Sequence, residues 1–379
     1  MPAPTLRFLH QFACLGLTLT LASGTSGCGG GSFAPASTTP PTPTLGAFVD
    51  SFATSAMQSQ DLPGMTVALA KNGTILYAQA YGSADLATQA PAQTSTIFEI
   101  GSITDEFTAA LILKLQEQGK LSVDDSITKY LPQYNFPAAI TLRMLLTYTS
   151  GLPDYYTFPQ YPTWEANGVS EATVLTAVSQ APPMFPPGTQ WFYSNSNLFA
   201  LGAIIEKVTG QSYAANFNQF IVQPLGLTNT FYTLPPPAQS AIGYSLGSTG
   251  LFPALVVDRS AAFAAAALST NLYDLAAWDA GLIHGKVISP ASFKEMTTPS
   301  SYSQNGSAYG LGIGLRNFNN RPTIWHNGGI SGFQAETDVF LDSGFAVVVL
   351  INSDHANPDA IAQQIISGVC NSSQFSSEC

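Results

Sequence analysis

Apolar positions along the chain recur at spacings that place strands at both ends and helices between them. Leu45, Phe48, Phe52 and Met57 fall near one face of an amphipathic helix over Thr44 to Gln60. Met65 to Ala70 and Thr74 to Gln79 are strand-like runs, with Asn72-Gly73 between them as a hairpin turn signal. Thr104 to Gln118 has a helical pattern that Gly119 is placed to end. From about Ile140 to Leu227, helical patterns alternate with Pro-rich loops. Leu268 to Leu282 predicts a further helix. The pattern then turns to strands: Tyr309 to Leu315, Thr323 to His326, Phe333 to Leu341 and Phe345 to Ile351, with Asp342-Ser343-Gly344 as a hairpin turn. Asp359 to Val369 predicts a closing helix, and no internal repeat is visible. Strands at both ends imply an α+β fold whose antiparallel sheet is built from both termini and flanked by helices. The sheet part comprises about 45–120 and 265–370, beside a mostly helical middle subdomain at 121–264. A site between the two parts is the expectation.

Composition adds a compartment. Of 379 residues, 45% are hydrophobic, enough for a sizeable core, and only 9% are charged. A net charge of −11 without a basic patch excludes nucleic acid as a partner. Arg7 precedes an apolar run from Phe12 to Ala22, too short to span a bilayer and suited to a signal peptide over 1–27. Thr25-Ser26-Gly27-Cys28 resembles a bacterial lipobox, with Thr25 where Leu is usual. It implies lipidation of Cys28 and a Pro/Thr/Ser-rich tether over 28–44. The expectation is an exported bacterial protein, lipid-anchored in the envelope or periplasm; plain secretion is the alternative. Cys370 and Cys379, in or beside a Ser-rich tail at 371–379, could close a small loop or stay free. Four separated histidines and no Cys/His spacing imply no metal, and no cofactor is implied.

Three short motifs carry candidate chemistry. Ser102, in Gly101-Ser102-Ile103-Thr104-Asp105, stands at a helix start, where a serine is more commonly an N-cap than a nucleophile. Tyr193-Ser194-Asn195 and Trp325-His326-Asn327-Gly328-Gly329 are each weak alone. Together, in this order, they resemble the class C β-lactamase family, with its D-alanyl-D-alanine carboxypeptidases, D-aminopeptidases and esterases. Its pattern is Ser-x-x-Lys, Tyr-x-Asn, then Lys-Thr-Gly or His-x-Gly. Leu145 to Asp154, Leu201 to Gly210 and Pro224 to Leu227 extend the likeness over about Leu45 to Ser367. The resemblance implies a β-lactamase/transpeptidase-like fold and acyl-enzyme chemistry on a small-molecule or peptide substrate. Ser102 would be the nucleophile, Tyr193 a proton carrier, and Asn195 and His326 would contact substrate. The N–H of Ser102 and one from the strand near Gly329 to Ser331 would form the oxyanion hole, with Gly328 and Gly329 at the substrate.

Asp105 stands where the family's lysine would be, on the helix face of Ser102. As a carboxylate it would raise the pKa of Ser102 and Tyr193, a swing of several kcal/mol at ~4 Å and a dielectric of ~20. Three readings follow. The chain is a hydrolase with Asp105 or His326 as base, an esterase acting on small activated esters, or a non-catalytic envelope protein binding a peptidoglycan-like or peptide ligand. Tyr148, Tyr155, Tyr156 and Trp164 either line a pocket or pack the helical part. Oligomeric state is not readable.

Overall fold

A computed structural model describes residues 44–232, 239–300, 303–304 and 307–379. The segment 1–27 expected to be a signal peptide, and Cys28, lie outside them. The strands are β1 (Gly64–Lys71), β2 (Thr74–Asp85), β3 (Ala90–Pro91), β4 (Phe98–Glu99), β5 (Tyr244–Gly247), β6 (Gly250–Pro253), β7 (Ser269–Thr270), β8 (Ser303–Gln304), β9 (Ser307–Tyr309), β10 (Gly314–Phe318), β11 (Arg321–Ile330), β12 (Phe333–Phe340) and β13 (Phe345–Ile351). Nine of them form one antiparallel sheet ordered β3-β2-β1-β13-β12-β11-β10-β9-β8, so the two ends of the chain meet at β1 and β13. Met65 pairs with Ile351 and Lys71 with Phe345.

Both faces of this centre are covered. Met65, Val67 and Leu69, with Val347, Val349 and Ile351, pack beneath helices Leu45–Ser59 and Pro358–Asn371. The alternate positions Ala68, Ala70, Ala346, Val348 and Leu350 join the larger core with helices Thr104–Glu117 and Leu272–Ile283. Period-2 alternation therefore distributes one strand between two apolar layers. Phe107 stacks on Trp278 in the larger core, with ring centroids 3.8 Å apart.

Two expectations are corrected, and one left open between alternatives is decided. The run Tyr309 to Leu315 is not one strand, because the chain leaves the sheet between β9 and β10. Gly312 there has φ +68°, and a Cβ on it would stand 2.6 Å from that of Ala109. The close approach to helix Thr104–Glu117 breaks the strand and fixes Tyr309 over that helix's first turn. The last strand before the His-x-Gly motif is longer than expected: β11 carries the whole motif and runs on to Ile330. At the Ser-rich C-terminus the closed loop, one of the two alternatives for Cys370 and Cys379, is the one found. Phe375 and Cys379 are buried, Cys379 is disulfide-bonded to Cys370 with Cα atoms 5.3 Å apart, and Lys71 Nζ donates to the Ser377 and Glu378 carbonyls.

Candidate active site

Ser102 sits in a single 3-10 turn, Gly101–Ile103, that runs into helix Thr104–Glu117, and neither segment has a side-chain cap. The Ser102 hydroxyl is therefore not spent on capping. Gly101 has φ +49°, and a Cβ on it would stand 2.6 Å from the Gly329 carbonyl oxygen. A Cβ on Gly328 would meet the Ile100 carbonyl at 1.8 Å. Only glycines allow this backbone-to-backbone contact, which presses the Ser102 turn against β11. β11 is interior only in its first half. Arg321 to Trp325 pair with β10, whereas His326 to Ile330 have no β10 partner and present an open edge beside Ser102.

Asp105 is fully buried, in the first turn of the Ser102 helix. Its Oδ2 accepts from Tyr193 Oη at 2.6 Å and from Tyr148 Oη at 2.5 Å. The two phenols stack with ring centroids 4.4 Å apart. Burial raises the Tyr193 phenol and the neighbouring Ser102 hydroxyl pulls it back down, which sets Ser102 beside Tyr193 and Tyr193 beside Asp105. His326 Nε2 lies 3.7 Å from Asp105 Oδ2. No lysine or arginine comes within 4 Å of that carboxyl among the described residues.

The protonation states follow from burial. Desolvation pushes the Asp105 carboxyl up to about 8; the bonds from Tyr148 and Tyr193 pull the other way, and the Asp154 charge adds to the rise. The carboxylate expected beside Ser102 is thus a neutral acid through most of the range below pH 8, and the expected repulsion develops only above it. Burial also lowers His326 to about 4, so its imidazole is neutral. A neutral ring that donates from Nδ1 to the Asn327 carbonyl, 2.6 Å away, leaves Nε2 to accept from Tyr309 Oη, also at 2.6 Å. His326 therefore offers Asp105 no cation, and its free nitrogen is taken by a phenol.

Asn195 begins helix Asn195–Thr209, where its Nδ2 donates to both Asp154 oxygens at 3.3 and 3.2 Å. Its Oδ1 is buried without a partner among the described residues. The fold thus brings Ser102, Asp105, Tyr193, His326, Gly328 and Gly329 together, with Asn195 adjoining through Asp154. Sequence reasoning missed Tyr148 as an Asp105 ligand, and missed Tyr309 and Asp154. Tyr148 and Asp154 stood inside the stretch Leu145 to Asp154 that carried the resemblance, which was the available signal. Tyr155 and Trp164 are core residues, and Tyr156 packs against them.

The chain resembles several known proteins. It is 27% identical over 338 residues to the protein flp of Staphylococcus aureus (strain COL), covering 84% of this chain and 66% of flp, just under two thirds of that relative's length. A D-stereospecific amidohydrolase from Streptomyces sp. superposes with a TM-score of 0.76 at 26% identity, covering 87% of this chain and all of that one. An octameric penicillin-binding protein homologue from Pyrococcus abyssi superposes with a TM-score of 0.75 at 27% identity, covering 84% of this chain and 76% of that one. The beta-lactamase family model matches residues 49–366, and this chain belongs to that family.

Proposed function

We propose that this chain is a serine hydrolase that forms an acyl-enzyme on an ester or amide carbonyl, with Asp105 acting as base through Tyr193. The observation that carries this reading is the 2.6 Å bond from Tyr193 Oη to Asp105 Oδ2, with Ser102 beside the same phenol. Ionised Asp105 takes the Tyr193 proton as the phenol oxygen takes the Ser102 proton. Ser102 Oγ then bonds the carbonyl carbon. The Ser102 N–H and the open edge of β11 at Gly329 face the developing oxyanion, a contact worth roughly 3–4 kcal/mol per donor. The proton returns from Asp105 through Tyr193 to the leaving group, the carbon–leaving-group bond breaks, and water repeats the path to release the acid.

No lysine charge is needed in this scheme. A carboxyl held near 8 is half-ionised at that pH and is a far better base than an exposed one near 4. His326 and Tyr309 hold the floor of the site instead of transferring protons. Small activated esters, whose leaving groups need little protonation, are the most favourable substrates. Export and lipid anchoring through Cys28 remain part of the proposal, and place the site in the envelope.

The test is hydrolysis of a p-nitrophenyl ester and a chromogenic cephalosporin by the wild-type chain, Ser102→Ala and Asp105→Lys, with mass detection of a fluorophosphonate adduct. Wild-type turnover lost in Ser102→Ala, and an adduct on Ser102, are the expected results. No turnover and no adduct in wild type would instead favour the ligand-binding reading. Activity in Asp105→Lys alone would mean that the carboxyl disables the site.

A further inference from the structure

We infer that Glu106 is a positioning residue for the Ser102 turn, latching the first turn of helix Thr104–Glu117 to the Trp278 indole on helix Leu272–Ile283. This rests on the hydrolase reading above and adds a residue to its site. Trp278 Nε1 donates to Glu106 Oε2 at 3.0 Å, and both residues are almost fully buried. Neither the Gly101–Ile103 turn nor the helix after it has a side-chain cap, so side chains further along fix how the turn sits. Consecutive helical residues point about 100° apart. Asp105 therefore faces its two phenols while Glu106 faces the neighbouring helix. On either side, Thr104 Oγ1 accepts from Leu268 N at 3.3 Å, Phe107 stacks on Trp278, and Thr108 Oγ1 donates to the Ala264 carbonyl at 2.7 Å. A ring stack tolerates sliding, whereas the indole hydrogen bond is directional and fixes the roll of the helix.

The next residue of helix Leu272–Ile283 carries the latch to the sheet. Asp279, also buried, accepts from Thr337 Oγ1 at 2.7 Å, and Thr337 pairs with His326 in the β11–β12 register. Trp278 and Asp279 thus hold the Ser102 helix on one side and the strand beside His326 on the other. Burial raises both acids. Desolvation, and then the Asp279 charge, push Glu106 well above the usual carboxylate range, while the indole bond pulls it back. Desolvation pushes Asp279 up to about 7. A neutral acid accepts the indole N–H through its carbonyl oxygen. A glutamine amide reproduces that acceptor, and a methionine side chain of similar length does not. Without it the Trp278 N–H is buried and unpaired, and the turn that aims Asp105 at its bonds of 2.5 and 2.6 Å is free to roll.

The experiment measures kcat and KM for p-nitrophenyl acetate, with the thermal unfolding midpoint, in wild type, Glu106→Gln, Glu106→Met, Trp278→Phe and the double variant Glu106→Met/Trp278→Phe. In Glu106→Met, kcat should fall about 10–100-fold while KM and the unfolding midpoint stay close to wild type. Glu106→Gln should recover most of that loss. Trp278→Phe keeps the ring stack on Phe107 and should lose as much as Glu106→Met, with no further loss in the double variant. Wild-type kcat in Glu106→Met overturns the inference. So does an equal loss in Glu106→Gln, additive losses in the double variant, or losses matched by a fall in the unfolding midpoint. Carbon-13 NMR signals of the tyrosine Cζ atoms, assigned with Tyr148→Phe and Tyr193→Phe, separate the latch from the hydrolase reading. Tyr148 and Tyr193 signals displaced in Glu106→Met but not in Glu106→Gln, without wild-type turnover, remove only the chemistry. Wild-type turnover with those signals unmoved removes only the latch.

Discussion

Among the buried acids of this fold, two groups are held by opposite means. On the sheet, Glu336 and Asp338 share Arg316. The guanidinium donates from Nε to Asp338 at 2.9 Å, from Nη2 to Glu336 at 3.3 Å, and from Nη1 to the half-exposed Asp359 at 2.7 Å. It also stacks over Trp325, 4.7 Å from the ring centroid. Near Ser102, Asp105 is equally buried but has two phenols and a neutral imidazole around it. Burial lifts both groups: Asp338 to about 6 despite its cation, and Asp105 to about 8 without one. The cation keeps Asp338 mostly ionised at neutral pH, while burial and the Asp338 charge hold Glu336 well above the usual carboxylate range. At Asp105 the absence of a cation leaves a proton that can move in the neutral range. The first arrangement holds structure, and the second suits chemistry.

The largest expected effect is on turnover. Asp105→Asn keeps the shape and the acceptor but removes the base, and ester hydrolysis should fall about 10²–10⁴-fold. Glu336→Gln should leave turnover unchanged in the same assay. Next in size, Arg316→Met strands two buried acids and should cost about 3–5 kcal/mol in denaturant unfolding at pH 7, with activity of the folded protein retained. An equal stability loss in Asp105→Asn would break the comparison.

The third prediction is in the pH dependence of stability. Asp105 titrates near 3.8 when unfolded and near 8 when folded. Between these values the folded state holds a proton that the unfolded chain releases. Its contribution is therefore full below about pH 4 and is lost as pH rises towards 8, by up to about 1.4 kcal/mol per pH unit. Asp105→Asn should gain stability relative to wild type across that window and level off above it. For Asp338→Asn the corresponding window closes near pH 6. Activity runs the other way, and kcat/KM should climb about tenfold per unit towards pH 8. The smallest effect is a displacement of that profile. The Tyr148 bond lowers the Asp105 pKa, so Tyr148→Phe should move the midpoint to higher pH with a several-fold loss at pH 7.

Much of the sheet was legible because β1 and β13 are short apolar runs bounded by turn residues, and Asn72-Gly73 and Asp342-Ser343-Gly344 mark their own turns. The helix at Thr104 and the closing helix were readable from spacing. The break after Tyr309 was not, since it arises from Gly312 meeting Ala109, residues brought together only by tertiary packing. Ser102, Tyr193 and His326 were legible as motifs. The state of Asp105 was not. Position three on a shared helix face predicts direction, but the pKa depends on complete desolvation and on Tyr148, more than forty residues away. Charge was read from the letter, and burial removes that charge through most of the range below pH 8.

The pairing of β1 with β13 also constrains how the molecule is made. Residues 65–71 wait for residues 345–351 before the centre of the sheet can close. Contacts of such sequence separation carry a large loop-closure entropy and slow folding. The hairpin β1–β2 and the β11–β13 meander can form locally, but the apolar face of each stays uncovered until they join. Translation must therefore reach the C-terminal strand before the final core assembles, and a chain truncated ahead of Phe345 should emerge as an aggregating fragment.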